Sequence, residues 1–270
     1  MVMRSLESVI QVFGERARSA ADLGEVCEVI LEDVPYFYQQ GLLTAEVLCQ
    51  YFPLERLAAH HIFVQGMEDT LVVEGIQGNY LVLGGTVLQQ EPLAYGFFLS
   101  DTHATVVDGQ ATFLGRSTGV LQGHSEGHAY QQAKVSAREQ ATLTLHDEAI
   151  GVITELATGY AADACSVQVS GQGRLFVKGG AFFFARHQGW VSASEQAFGV
   201  VCDHVELVCE AGNWVVPLDT TVSVQAPEQH LIQEMPATKA LWDEVFYLSA
   251  SSLPVTERKE ALSRLLLGWS

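Results

Sequence analysis

Basic residues are scarce in this chain. It has 14 lysines and arginines against 32 aspartates and glutamates, which gives a formal net charge of −18 at pH 7. A charge of this sign and size repels phosphate backbones and anionic lipid headgroups. We therefore expect neither a nucleic acid nor a membrane surface as the partner of this protein.

Cysteine pairs and long apolar runs are also lacking. No apolar run approaches the length of a membrane span, and residues 1–10 lack the apolar segment of a signal peptide. The five cysteines form no Cys-x-x-Cys pair and no even set, so we expect buried thiols in a reducing compartment. The predicted location is therefore the cytoplasm. These cysteines are Cys27, Cys49, Cys165, Cys202 and Cys209.

The sequence is rich in a repeat of eight residues between Ala133 and Val201. Each octad begins with a small residue, has apolar residues or Gly two and four positions later, and ends in mostly polar residues or Gly. Alternation with a period of two is typical of a strand with one buried face, and the polar remainder is typical of a turn. Each octad is therefore predicted to form one short strand and one corner. The small first positions are Ala133, Ala141, Ala149, Ala157, Cys165, Gly173, Ala181, Gly189 and Ala197.

Octads of this kind can bury their inner row only if they stack on one another. With three octads per coil, the last inner position sorts into columns of similar size, such as Ala137, Ala161 and Ala185. With two octads per coil, Ala137 and Ile153 would share a column. We therefore predict a mainly β fold, a parallel β-helix with three short strands and about 24 residues per coil and coils about 4.8 Å apart. An antiparallel sandwich with an accidental period is disfavoured.

Three segments repeat a more specific motif: Ala104-Thr-Val-Val-Asp-Gly, Ala111-Thr-Phe-Leu-Gly and Ala141-Thr-Leu-Thr-Leu. In these segments the chain resembles the parallel β-helix proteins. It is most similar to octad-repeat sequences of uncharacterised bacterial and phage proteins with the pattern Ala-Thr-Val-x-Ala-x-Gly-x. The resemblance spans about residues 60–225. It implies an architecture and carries no functional residue.

Helical spacing replaces alternation at both ends of the chain. Leu6, Val9, Ile10 and Phe13 follow the i, i+3, i+4, i+7 pattern, which predicts a helical segment over residues 1–59. Because the first coil of a solenoid leaves strand hydrogen-bonding groups open, we expect this segment to cap it rather than to form a separate binding domain. The solenoid is predicted over residues 60–225, and a helical hairpin over residues 226–270.

The outward strand positions of the regular block contain no carboxylate, unlike the acidic outer faces that polysaccharide lyases and hydrolases of this architecture carry. They contain apolar residues instead, in a larger patch than a monomer normally leaves in water. We expect either the terminal helices or a second protomer or another protein to cover this patch. The predicted interaction face comprises Val152, Tyr160, Phe176, Phe182, Phe184, Phe198 and Val200.

Polar corners supply the only catalytic candidates. In a 24-residue coil, Glu139, Asp163 and His187 would lie above one another. Two carboxylates about 5 Å apart have the separation that retaining glycosidases use, and a histidine nearby could hydrogen-bond to them. Corner acids are, however, usually only solvated. The histidines show no His-Glu-x-x-His spacing, so we expect no metal and no cofactor.

Two hypotheses of different classes follow. The first is a non-enzymatic β-solenoid scaffold or protein-interaction module that self-associates, or binds another protein, through its apolar lateral face. The alternative is a carbohydrate-active enzyme, a polysaccharide hydrolase or lyase, that uses the corner carboxylates. A hexapeptide-type acyltransferase is disfavoured because its inner period is six residues and this period is eight.

Overall fold

The computed structural model describes residues 5–210, 213–217 and 221–225 and a few single positions between 244 and 265. The predicted C-terminal hairpin over residues 226–270 falls outside the continuously described ranges. The chain divides into two compact units, Met1–Thr118 and Gly119–Ser270. The N-terminal helices and the first strands lie together in the first unit.

Helices occupy the beginning of the first unit. Several of their N-termini carry side-chain caps: Ser5 accepts from the Ser8 N–H, Asp22 from the Gly24 and Glu25 N–H groups, and Thr44 from the Val47 N–H. The helices are α1 (Leu6–Phe13), a short 3-10 helix (Glu15–Ala17), α2 (Leu23–Glu32), α3 (Val34–Gln39), α4 (Ala45–Tyr51) and α5 (Leu54–Ala59). None of the described helices is long and apolar enough to cross a membrane.

The remainder of the first unit is built from parallel strands. Alternate strands pair, so that β1, β3, β5 and β7 lie in one sheet and β2, β4 and β6 in another. Helix α5 packs against β1, and α2 packs against β3. The strands are β1 (Ile62–Val64), β2 (Thr70–Val73), β3 (Gly78–Leu83), β4 (Thr86–Gln89), β5 (Ala94–Leu99), β6 (His103–Val107) and β7 (Gln110–Phe113).

The second unit contains the regular octads. Its strands are β8 (Thr118–Gln122, which begins at the boundary), β9 (Glu126–Ala129), β10 (Lys134–Ala137), β11 (Thr142–Leu145), β12 (Ile150–Ile153), β13 (Thr158–Ala161), β14 (Ser166–Val169), β15 (Arg174–Val177), β16 (Phe182–Ala185), β17 (Trp190–Ala193), β18 (Phe198–Val201), β19 (Glu206–Cys209), β20 (Trp214–Pro217) and β21 (Ser223–Gln225). We call the sheet of odd-numbered strands from β9 to β21 sheet A. The sheet of even-numbered strands from β8 to β20 is sheet B.

Each octad forms one strand and one corner, as the pattern predicts. The small first residues Ala133, Ala141 and Ala149 are fully buried, and the inner strand residues Leu143 and Leu145 are buried with them. Strands run parallel in every pair of both units that the structure describes. The stacked parallel strands therefore form a β-solenoid with an apolar interior.

The predicted coil of three strands and about 24 residues is wrong. Lys134 pairs with Ile150, and Thr142 pairs with Thr158, so neighbouring coils are sixteen residues apart and each coil has two strands. The similar size of inner residues in one column is a misleading criterion for the coil length. In this core a large side chain fills the space beside a glycine instead. A Cβ on Gly159 would lie only 2.8 Å from Cγ1 of Ile153.

Candidate functional site

Sheet A presents an exposed row of stacked aromatic rings. Tyr160 on β13 lies directly opposite Phe176 on β15, and Trp190 on β17 lies diagonally beyond Phe176. The Tyr160 and Phe176 ring centroids are 5.1 Å apart with 9° between their planes, and the Phe176 and Trp190 centroids are 5.2 Å apart at 62°. We call these three residues the aromatic ladder. They stack because outward side chains of parallel in-register strands repeat at the strand spacing.

The aromatic ladder is in contact with solvent. Tyr160 is 44% exposed and Phe176 is 38% exposed, and Trp190 is half-buried. Because Tyr160 and Phe176 stack face to face, they turn their edges rather than their faces to the solvent. The ladder thus differs from a flat ring face on which a sugar can stack. An apolar surface formed by ring edges is suited to packing against other apolar side chains.

The strand residues around the ladder are neutral or cationic. From β11 to β17 the outward residues of sheet A are Thr142, Thr144, Thr158, Tyr160, Arg174, Phe176, Trp190 and Ser192, with no carboxylate among them. Arg174 is exposed next to the ladder, and exposed Lys178 follows β15. Acids on this face appear only in the outer strands, at Glu126 and Glu206. Exposed Glu155 and Asp163 lie in the corners at the two ends of β13, so the surface without carboxylates is confined to the strands themselves.

A second stack lies at the edge of sheet A. The rings of Tyr130 and His146 are 4.6 Å apart at 8°, and His128 and His146 are 6.3 Å apart at 15°. Burial and the nearby His146 lower the pKa of His128, which the carboxylate of Glu126 offsets in part. Nδ1 of His128 is enclosed without a hydrogen-bond partner. His128 is therefore held in its neutral form near pH 7.

Part of the outward face of sheet B is buried, and four residues of the predicted interaction face lie in this part. Phe182, Phe184, Phe198 and Val200 are at most 2% exposed in the single chain. Of the seven predicted residues only Tyr160 and Phe176 are exposed, and Val152 is half-buried. Tyr160 and Phe176 lie on sheet A, whereas the other five residues lie on sheet B. They are on different sheets because neighbouring coils are sixteen residues apart rather than 24.

The predicted catalytic carboxylates are separated. Glu139 follows β10 and lies in a corner that leads from sheet B to sheet A, whereas Asp163 follows β13 and lies in the opposite corner. His187 shares the corner column of Glu139 but is three coils further on, where it pairs with Asp203. The structure thus gives no pair of carboxylates that could act on one glycosidic bond at Glu139 and Asp163.

Corner carboxylates have a structural role instead. Glu139 accepts a hydrogen bond from the Gly123 N–H at 2.6 Å, and the Glu139 N–H donates to Glu155 at 3.0 Å. In the opposite corner, the Gln131 N–H donates to Asp147 at 3.2 Å. These corner residues have φ between 55° and 61°, which turns the N–H away from the strand ladder. Each carboxylate thus binds the backbone one coil earlier.

No described cluster of histidine, cysteine, aspartate and glutamate has the geometry of a metal site. Trp190 lies outside the predicted interaction face, and the Tyr130–His146 stack was not predicted from the sequence. Tyr160 and Phe176 are sixteen residues apart in the sequence, and so are Tyr130 and His146. A search for aromatic residues at this spacing would have indicated both the coil length and the two stacks. In comparisons with protein-family models, curated proteins and solved structures, no match to this chain was found.

Proposed function

We propose that this protein is a non-enzymatic β-solenoid interaction module that self-associates through the aromatic ladder of sheet A. The observation that carries the proposal is the position of the ladder, exposed on a face that lacks carboxylates from β11 to β17. Two copies of an acidic chain repel each other at long range, so the face on which they meet has to be one where negative charge is absent.

The small area of sheet A around the aromatic ladder indicates a weak association. The strands β11 to β17 of sheet A, about 4.8 Å apart and four residues long, give a flat area of about 250 Å². A standard interface takes about 800 Å² from each partner. The ladder is therefore the centre of the contact, and the threonines and serine around it form the rim. Rings in the centre of an interface commonly contribute most of the binding energy.

The enzyme alternative has less support. The sites that would carry it, Glu139, Asp163 and His187, are occupied by backbone and ion-pair contacts in separate corners or coils. The stacked rings of Tyr160 and Phe176 cover one face of each other, which disfavours a sugar as ligand of this pair. A protein surface, and in particular a second copy of the same surface, fits the ladder better.

The test is the sedimentation of Phe176→Glu across a concentration series. We expect wild type to form a larger species at about micromolar to millimolar concentration, in the weak range of affinities, and Phe176→Glu to remain monomeric. Ser136→Glu, which adds the same charge on the outward side of β10 in sheet B, is the matched control and should weaken association much less. Salt should strengthen wild-type association, because it screens the repulsion between acidic chains.

Circular dichroism tests whether Phe176→Glu is still folded, so that a loss of association can be attributed to the ladder. Phe176 is partly exposed on the outside of the solenoid, so Phe176→Glu should retain the β spectrum and the melting temperature. Wild type that stays monomeric at every concentration and salt would refute self-association. Equal loss of association in Phe176→Glu and Ser136→Glu would refute the special role of the ladder.

A further inference from the structure

The first coil of the solenoid in the unit Met1–Thr118 has an open strand edge. Strand β2 pairs with β4 on one side, and among the described residues it has no strand on the other side. The Thr86 N–H donates to the carbonyl of Asp69 at 2.8 Å, and Thr70 is in register with Thr86. Since pairing alternates along a parallel strand, Leu71 and Val73 bond to β4, and Thr70 and Val72 direct their N–H and C=O groups to the open side.

A pocket adjoins the beginning of this edge. Its volume is about 410 Å³, and it lies between α5, β1 and the start of β2, with Leu54, Ala58, Phe63, Gln65 and Thr70 in its wall. Oε1 of Gln65 is enclosed and has no hydrogen-bond partner. This oxygen lies against Gly85, where a Cβ would be 2.7 Å from it, so the pocket offers space for an apolar side chain rather than a polar contact.

Apolar side chains surround the edge in contact with solvent. Leu54 is 54% exposed, Met67 is 82% exposed and Val72 is 49% exposed. Open strand edges with apolar neighbours pair readily with other extended chains, and proteins normally protect them. Here an open edge, a pocket and exposed apolar side chains are found together, which is the combination that peptide recognition by strand addition requires.

The charges around the edge select the occupant. Exposed Glu55, Glu68, Asp69 and Glu74 border it, and Arg56 is the only lysine or arginine in residues 54–74. A second copy of this edge would bring the same acids against one another. We propose that β2 binds an extended segment of another protein, which adds to the sheet as a strand, places an apolar side chain in the pocket and carries lysines or arginines beside it.

The experiment uses the full chain and two labelled hexapeptides. The cationic probe is Lys-Val-Leu-Val-Val-Lys, and the anionic probe has glutamates in place of both lysines. Fluorescence anisotropy should show binding of the cationic probe and at least tenfold weaker binding of the anionic probe. The affinity for the cationic probe should fall as salt rises, because exposed charges are screened.

Val72→Pro isolates the strand edge. Proline removes an N–H that faces the open side and leaves the bonds of Leu71 and Val73 to β4, so the fold is retained. We expect about tenfold weaker binding of the cationic probe, the effect of losing one hydrogen bond. Thr105→Ser, outside the first coil on β6, is the control and should bind as wild type does. Since Val72→Pro could lower stability, its melting temperature is measured alongside.

A second variant keeps the proposal testable if Val72→Pro fails to fold. Leu54→Lys places a charge at the mouth of the pocket on an exposed position, and it should weaken binding of the cationic probe at least tenfold. Equal affinity for the two probes, or wild-type affinity in both folded variants, would overturn the proposal. So would a change in sedimentation of Leu54→Lys without any peptide binding, because a second copy would then occupy the edge.

Discussion

A cross-link between neighbouring coils tests the sixteen-residue register directly. Thr142 on β11 and Thr158 on β13 lie opposite each other on the outward side of sheet A. Parallel neighbours are about 4.8 Å apart, within the range of about 4.4–6.8 Å between the Cα atoms of a disulfide. The double variant Thr142→Cys, Thr158→Cys should therefore form a disulfide upon oxidation.

The expected stabilisation follows from the length of the closed loop. A loop of about 16 residues removes up to about 3 kcal/mol of chain entropy from the unfolded state. For a chain of this size that corresponds to an increase in Tm of roughly 6–12 °C, as an upper limit. Tm under oxidising and reducing conditions gives the difference, and mass spectrometry of the digested protein identifies the linked peptides.

The control pair is Lys134→Cys with Thr158→Cys, which are 24 residues apart. Lys134 is on sheet B and Thr158 is on sheet A, and both are on outward faces. Facing sheets are about 10 Å apart and these side chains point away from each other, so no disulfide should form. Efficient cross-linking of the control pair with none in the Thr142 pair would refute the two-strand coil.

Two further predictions concern the corner and the edge of sheet A. Glu139→Ala should lower the free energy of unfolding by up to about 1 kcal/mol, because it removes the acceptor of the Gly123 N–H; chemical denaturation measures the loss, and Glu139→Gln, which keeps an acceptor, should lose less. Burial and His146 lower the pKa of His128 below the 6.5 of an unperturbed histidine, so its contribution to stability is complete above about pH 6.5 and is lost as the pH falls through the lowered value. The decrease in Tm from pH 7 to pH 5 should therefore be smaller in His128→Phe, and an unchanged decrease would contradict this assignment.

The octad pattern was sufficient to predict strands and corners. Small residues such as Ala141 and Ala157 and apolar residues such as Leu143 alternate with outward positions, and alternation describes a single strand without regard to its neighbours. Helical spacing around Val9 and Phe13 likewise describes one element, and both residues are buried in α1. Alternation in a strand and helical spacing both follow from the backbone period of a single element, so they can be predicted from the sequence alone.

The number of strands per coil depends on contacts across the core. A series of octads can wind into coils of two strands or of three strands. The number depends on which side chains face one another across the core. Phe183 occupies the space beside Gly199, and Leu145 occupies the space beside Gly151. Large and small residues thus compensate between strands, and a search for columns of equal size leads to the wrong coil.

The sequence by itself determined the strand, the corner and the acidic character of the chain. Only the tertiary structure decided that Phe182 and Phe198 on sheet B are buried, that sheet A is open at Phe176, and that Glu139 and Asp163 lie in opposite corners. The physical reason is that exposure and proximity are properties of the stacked coils. A coil of three strands instead of two would give the outward residues different neighbours on each face, although the pattern within each octad would be the same.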